Sequence, residues 1–233
     1  FPTRRSSDLK AQEIRESGKL FMAFMPTGVF ERLHFLMGFE DMLMNFLLEP
    51  EDMMDLCNAI GEYRYQYMKL IVDNLHPDVM LSHDDWGSKN QLFVSPETWR
   101  EFIKPQYAKT YGYMKEKGVI IIHHGDSFME PVVEDMVELG VDVWQGVLPQ
   151  NDIPKLQKQL AGRMTLMGGI DASIVDRADS TEEEIRREVR RACEEYAPGG
   201  HFIPCITYGG PGCLFPHVDP IIDDEIDRYN RTE

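Results

Sequence analysis

Val79-Met80-Leu81-Ser82-His83-Asp84-Asp85-Trp86 and Val119-Ile120-Ile121-Ile122-His123-His124-Gly125-Asp126 share one construction, a short apolar run that ends in imidazole and carboxylate side chains. Each run is rich in β-branched or large apolar residues and follows a polar helical stretch, the pattern of a strand buried on both faces in a parallel sheet. A buried strand cannot keep His and Asp in its apolar core, so these groups emerge at its carboxyl end. In α/β barrels and open parallel sheets that end carries the active site. The two runs together point to an enzyme.

The pattern extends along the chain. Lys19–Met25 reads as a strand broken by Pro26-Thr27-Gly28, with helices predicted over 30–48 and 51–72. Ser95-Pro96-Glu97 starts a helix that runs to about Lys117, with Ser95 as N-cap and Pro96 in the first turn. Further strands are expected at Val141–Trp144, Met164–Met167 and His201–Pro204, with helices at 128–139, 152–160, 181–196 and 219–229. Ser180 is the expected cap of the helix over 181–196, with Glu183 completing a capping box. Regular βα alternation means a parallel sheet. The fold expected is α/β, a (β/α)8 TIM barrel truncated at its N-terminus, with about six of eight strands present. No GxGxxG opens a helix after the first strand, which counts against a dinucleotide-binding sheet.

Phe1–Leu9 (FPTRRSSDL) is unlike the rest and equals a translated sequencing adapter, so residues 1–9 are read as an artefact of a fragmentary, metagenome-type gene and 10–233 as a single barrel domain. A secretory signal would need an apolar run that this stretch lacks. The chain is 42% hydrophobic, enough for an ordinary core, and no stretch is apolar enough to span a membrane. Its formal charge of −16 argues against nucleic acid or an anionic membrane as partner. Cys57, Cys193, Cys205 and Cys213 have no CxxC spacing, which fits the reducing cytoplasm.

The strand ends gather His83, Asp84, Asp85 and Trp86; His123, His124 and Asp126; Trp144 and Gln145; Asp171; and Cys205, Tyr208 and Cys213. His, Asp and Cys together suit zinc, which takes three protein ligands and keeps one position open for chemistry. His124, Asp126 and Cys213 form the expected ligand set, with His123 as a substitute. His123 and His124 alternate along a strand, so one faces the barrel interior and the other the packing helices. Asp84 and Asp85 are read as catalytic beside His124, or else as caps of the following turn. His83, Trp86, Trp144, Gln145, Asp171 and Tyr208 are expected to bind substrate, the tryptophans as pocket wall or as packing. Cys205, on an apolar strand, reads as a small hydrophobe, and Cys213, in a Gly/Pro loop, as the better ligand.

At these residues the chain resembles the uroporphyrinogen decarboxylase superfamily. The segments that carry the resemblance are Asp78–Asp85, Ser95-Pro96-Glu97-Thr98-Trp99, Phe102-Ile103-Lys104-Pro105, Met167-Gly168-Gly169-Ile170-Asp171 and Pro198–Ile203. That superfamily joins the haem-pathway decarboxylases to zinc-dependent methyltransferases that work with corrinoid proteins, both on eight-stranded barrels. The methyltransferase branch places His-x-Cys before a Gly at one strand end; aligned on Gly125, His124 takes the place of that Cys and Ile122 that of the His. Pro211-Gly212-Cys213 resembles the loop that carries the second Cys. The decarboxylase branch's Gly-His-Gly segment is replaced here by Ile206-Thr207-Tyr208-Gly209-Gly210. The resemblance therefore implies a metal-dependent methyltransferase or demethylase, with zinc, a corrinoid on a partner protein and a small-molecule thiol, methoxy or methylamine-type substrate. A homodimer is compatible with it. Uroporphyrinogen decarboxylation and a non-catalytic small-molecule-binding barrel are the alternatives.

Overall fold

The computed structural model describes residues 4–207 and 215–232. They form six parallel strands and eleven helices in two compact units. The first unit takes residues 4–86, Leu92–His124 and Pro131–Asp142; the second takes Gly87–Gln91, Gly125–Glu130 and the described residues from Val143 onward.

In the first unit, strands β1 (Met22–Met25), β2 (Val79–His83) and β3 (Ile120–His124) pair in parallel in that order. Helices α1 (Arg4–Glu16), α2 (Val29–Met37), α3 (Phe39–Leu48) and α4 (Pro50–Leu75) precede β2. Then come α5 (Pro96–Thr98), a π turn at Trp99–Ile103, α6 (Lys104–Glu116) and, after β3, α7 (Val133–Glu138). The single helix expected over 30–48 is two, because Gly38 adopts φ +87, outside the helical well, between α2 and α3. Alternate strand residues Ala23, Met25, Met80, Ser82, Ile121 and His123 are buried on one face. Tyr107, Tyr111 and Met114 of α6, which packs on β3, are also buried, as are Met68 and Val72 of α4, which packs on α6. Arg64 of α4, itself buried, donates to the carbonyls of Pro26 and Thr27 and to Ser82 Oγ, tying the β1–α2 connection to β2.

In the second unit, β4 (Val143–Val147), β5 (Thr165–Gly169) and β6 (Phe202–Cys205) are also parallel in order. They alternate with α8 (Ile153–Leu160), α9 (Ala172–Val175) and α10 (Glu182–Tyr196), and α11 (Val218–Thr232) follows. Strand β4 begins two residues later than expected, at Val143. The cap of α10 is Thr181, not Ser180, and the capping box is closed by Glu184, not Glu183. A capping box needs the donor and acceptor side chains three residues apart, and Thr181 with Glu184 meets that as well as Ser180 with Glu183 does.

Helices α10 and α11 are joined by a buried carboxylate. Glu225 accepts from Arg186 at 3.0 Å and from Arg190 Nε at 2.9 Å. Burial raises the Glu225 pKa, but these two guanidinium groups outweigh it and hold the carboxyl below its ordinary 4.5. A depressed carboxylate pKa stabilises the fold above the unfolded value and loses that contribution as pH falls through the folded value. Thermal unfolding of wild type should therefore fall steeply below about pH 4.5, and Glu225→Gln should flatten that dependence while lowering Tm at neutral pH. Calorimetry across pH 3–7 on the two proteins checks this.

Candidate functional site

The parallel register of β2 on β3 pairs Ser82 with His123 and His83 with His124. Side chains alternate across a strand, so this register sends Ser82 and His123 to the helix-packed face and His83 and His124 together to the other. The imidazoles of His83 and His124 stack, with centroids 4.5 Å apart and an interplanar angle of 12°. Asp85, two residues past His83, joins them: one ligand atom from each of His83, Asp85 and His124 lies within 4.8 Å of the others. All three are half-buried.

His83 is also held by a carboxylate. Its Nδ1 lies 2.8 Å from Glu31 Oε2, on the first turn of α2. Burial lowers the His83 pKa, but the Glu31 hydrogen bond and charge, with the charges of Asp85 and Asp84, raise it overall. Glu31 responds in kind: burial raises its pKa, and the His83 hydrogen bond and charge, with the Gly28 N–H and the His34 charge, together lower it overall.

The helix-packed face holds a different set of residues. Asp84 is fully buried and accepts four hydrogen bonds, from the N–H groups of Phe30 (3.0 Å) and Glu31 (2.9 Å), from Trp86 Nε1 (2.8 Å) and from the Tyr107 hydroxyl (2.6 Å). Burial and the Glu31 charge raise its pKa, while the Tyr107 and Glu31 hydrogen bonds and the Arg64 charge offset part of that. Gly28 makes the arrangement fit, since a Cβ there would lie 1.8 Å from the Asp84 carboxyl carbon. His123 stacks on Trp86 at 4.1 Å and bonds the Tyr111 hydroxyl through Nδ1 at 2.7 Å. Burial drives the His123 pKa well below its ordinary value, so the imidazole is neutral.

The expected residues thus divide. His124, Asp85 and His83 come together, so Asp85, expected to be catalytic, and His83, expected to bind substrate, enter as ligand candidates beside His124. His123 is no substitute ligand, because it lies in the aromatic packing of the helix face. Asp84 is occupied as an internal cap, which fits the turn-capping reading better than a base. Trp86 is a fully buried packing residue, as is Trp144, whose Nε1 donates to the Gly125 carbonyl at 2.9 Å. Neither presents a surface to substrate.

Asp126 belongs to the second unit, beyond Gly125, whose N–H donates to Gln145. There it lines a cavity of about 310 Å³ with Lys89, Gln150, Asp171, Asp176 and Thr207. Asp171 also caps α9, accepting from Ser173 N at 2.9 Å and Ser173 Oγ at 2.6 Å. Gln145 is half-buried in β4. Burial pushes the Cys205 thiol up to about 11, as suits a small hydrophobe. Tyr208 and Cys213 lie outside the described residues.

Glu31 was missed in the sequence, where it reads as an ordinary first-turn acid of a helix. The pairing of His83 with His124 had no signal in the sequence, because counting from Val79 and Val119 at the starts of the two runs matches His83 with His123.

Two imidazoles and a carboxylate at this spacing are a donor set that fits zinc or another first-row divalent ion. A sequence model of the uroporphyrinogen decarboxylase (URO-D) family matches residues 21–212, most of the chain and all six strands. The chain belongs to the URO-D family.

Among curated proteins, this URO-D family chain is 27% identical over 170 residues to the uroporphyrinogen decarboxylases of two strains of Thermus thermophilus. These alignments cover 73% of the chain and 44% of each relative, so the chain matches less than half the length of those proteins. Among solved structures it resembles a methyltransferase from Methanosarcina mazei, with TM-score 0.71 and 16% identity, over 97% of this chain and 64% of that one. It also resembles dihydropteroate synthase from Anaplasma phagocytophilum with bound 6-hydroxymethylpterin-monophosphate, with TM-score 0.53 and 14% identity, over 76% and 70% of the two chains. At these identities the likeness is one of fold. The expected α/β fold of TIM-barrel type is the fold found, with six parallel strands among the described residues. No helix among the described residues is long and apolar enough to cross a membrane.

Proposed function

We propose that this URO-D family protein is a metal-dependent methyltransferase or demethylase, moving a methyl group between a small-molecule substrate and a corrinoid carried on a partner protein. The substrate class is a thiol, or a methoxy or methylamine-type compound. The observation that carries the reading is the His83–Asp85–His124 donor set at the strand ends of a URO-D family chain. The fold likeness to a methyltransferase supports it.

His83, Asp85 and His124 would hold the metal, the two imidazoles as neutral donors and Asp85 as the anionic one. Zinc bound there would lower the pKa of a coordinated thiol or hydroxyl and so supply a nucleophile near neutral pH. The protein's own part is to orient the imidazoles, which the mutual stack and the Glu31 hydrogen bond do.

Metal analysis of the purified protein should find about one zinc per chain. Removing it with a chelator should abolish methyl transfer to free corrinoid, and zinc should restore it. A protein that holds no divalent metal, or an activity indifferent to the chelator, would overturn the metal-dependent reading. Release of carbon dioxide from uroporphyrinogen would replace it with the chemistry named for the Thermus relatives.

A further inference from the structure

We infer that Glu31 is a positioning residue for the His83–Asp85–His124 centre, setting its affinity for a divalent metal through His83. The inference rests on the metal reading of that cluster. Glu31 Oε2 lies 2.8 Å from His83 Nδ1, and the Glu31 side chain is only 13% exposed. An ionised carboxylate only accepts hydrogen bonds, so Nδ1 carries the proton and Nε2 is left as the ligating nitrogen. This is the carboxylate–imidazole arrangement that fixes the tautomer and raises the donor strength of metal-binding histidines.

The carboxylate is held in place from behind. The Glu31 and Phe30 N–H groups donate to Asp84 at 2.9 and 3.0 Å, which anchors the first turn of α2 to the end of β2. Gly28 N also donates to Glu31 Oε2, at 3.2 Å. Closing the start of α2 would account for that last bond alone. It does not account for the bond to His83, which lies 52 residues away on another element. Charge points the same way. Two neutral imidazoles and Asp85 offer a divalent ion one negative charge, and Glu31 supplies a second at the rim.

The test is a zinc titration of the full chain against a competing chelator, with the cobalt absorption spectrum as a second readout. Glu31→Gln keeps an oxygen acceptor but removes the charge, and should bind zinc about 10–100-fold more weakly than wild type. Its metal-free Tm should stay near that of wild type, while the rise in Tm on adding zinc shrinks. Glu31→Ala should lose at least as much affinity. In wild type, 15N resonances should show zinc on His83 Nε2 with Nδ1 still protonated. Zinc binding by wild type with both variants within twofold of it would overturn the role of Glu31 and leave the metal reading standing, and zinc on Nδ1 would do the same. A wild type that binds no zinc would overturn both.

Discussion

Asp84→Ala is expected to cost the first unit about 3–5 kcal/mol, enough to unfold a domain of ordinary stability. The carboxylate is fully buried and accepts from Phe30 N, Glu31 N, Trp86 Nε1 and the Tyr107 hydroxyl. Removing it strands four donors without water, and an unsatisfied buried polar group typically costs about 1–3 kcal/mol. It also removes a negative charge that interacts with the buried Arg64. Asp84→Asn should be milder, at about 1–3 kcal/mol, because one amide oxygen can still accept while its NH2 meets a donor at Glu31 N. Gly28→Ala should approach the severity of Asp84→Ala, since its methyl would overlap the Asp84 carboxyl. Urea unfolding of the three variants checks the order. If Asp84 were instead a catalytic group exposed to substrate, Asp84→Ala would lose turnover with Tm unchanged.

The second large effect belongs to the other face of the same strands. His124→Ala should weaken zinc binding by roughly 10³-fold, the share of one ligand in three when structural zinc sites bind with about 10–16 kcal/mol. Methyl transfer at micromolar zinc should disappear with it. The cost in stability should be small by comparison, because His124 is half-buried and its stacking partner His83 stays tied to Glu31. His123→Ala should behave in the opposite way, leaving zinc affinity within a few-fold of wild type and lowering Tm, because it removes a ring packed against Trp86, Tyr107 and Tyr111. Equilibrium dialysis with zinc, read beside thermal unfolding, separates the two histidines. Equal zinc loss in both variants would mean that the ring positions do not define the site.

Much of this was legible from local pattern. Apolar runs ending in His and Asp marked parallel strands with polar groups at their carboxyl ends, but not burial on both faces: Met22, Phe24 and Ile120 are exposed on one side. The βα alternation and the family likeness follow from the same segments, and the family match over residues 21–212 agrees with them. Cys205 was read as a small hydrophobe from its apolar strand, and it is half-buried at the end of β6.

The choice within each adjacent pair was not legible. A strand turns successive side chains to opposite faces, so a shift of one residue in phase exchanges every inward group for an outward one. His123 against His124, and Asp84 against Asp85, could be sorted only once β2 and β3 were in register. Trp86 and Trp144 read equally well as pocket wall or packing until the tertiary fold buried them. Glu31 gave no local sign at all, because its bond to His83 depends on where α2 begins, and Asp84 decides that from 53 residues away. The sequence by itself determined the strands, their chemistry-bearing ends and the family. Only the tertiary structure decided which of those side chains meet, because register and burial come from pairing and packing between segments far apart in the chain.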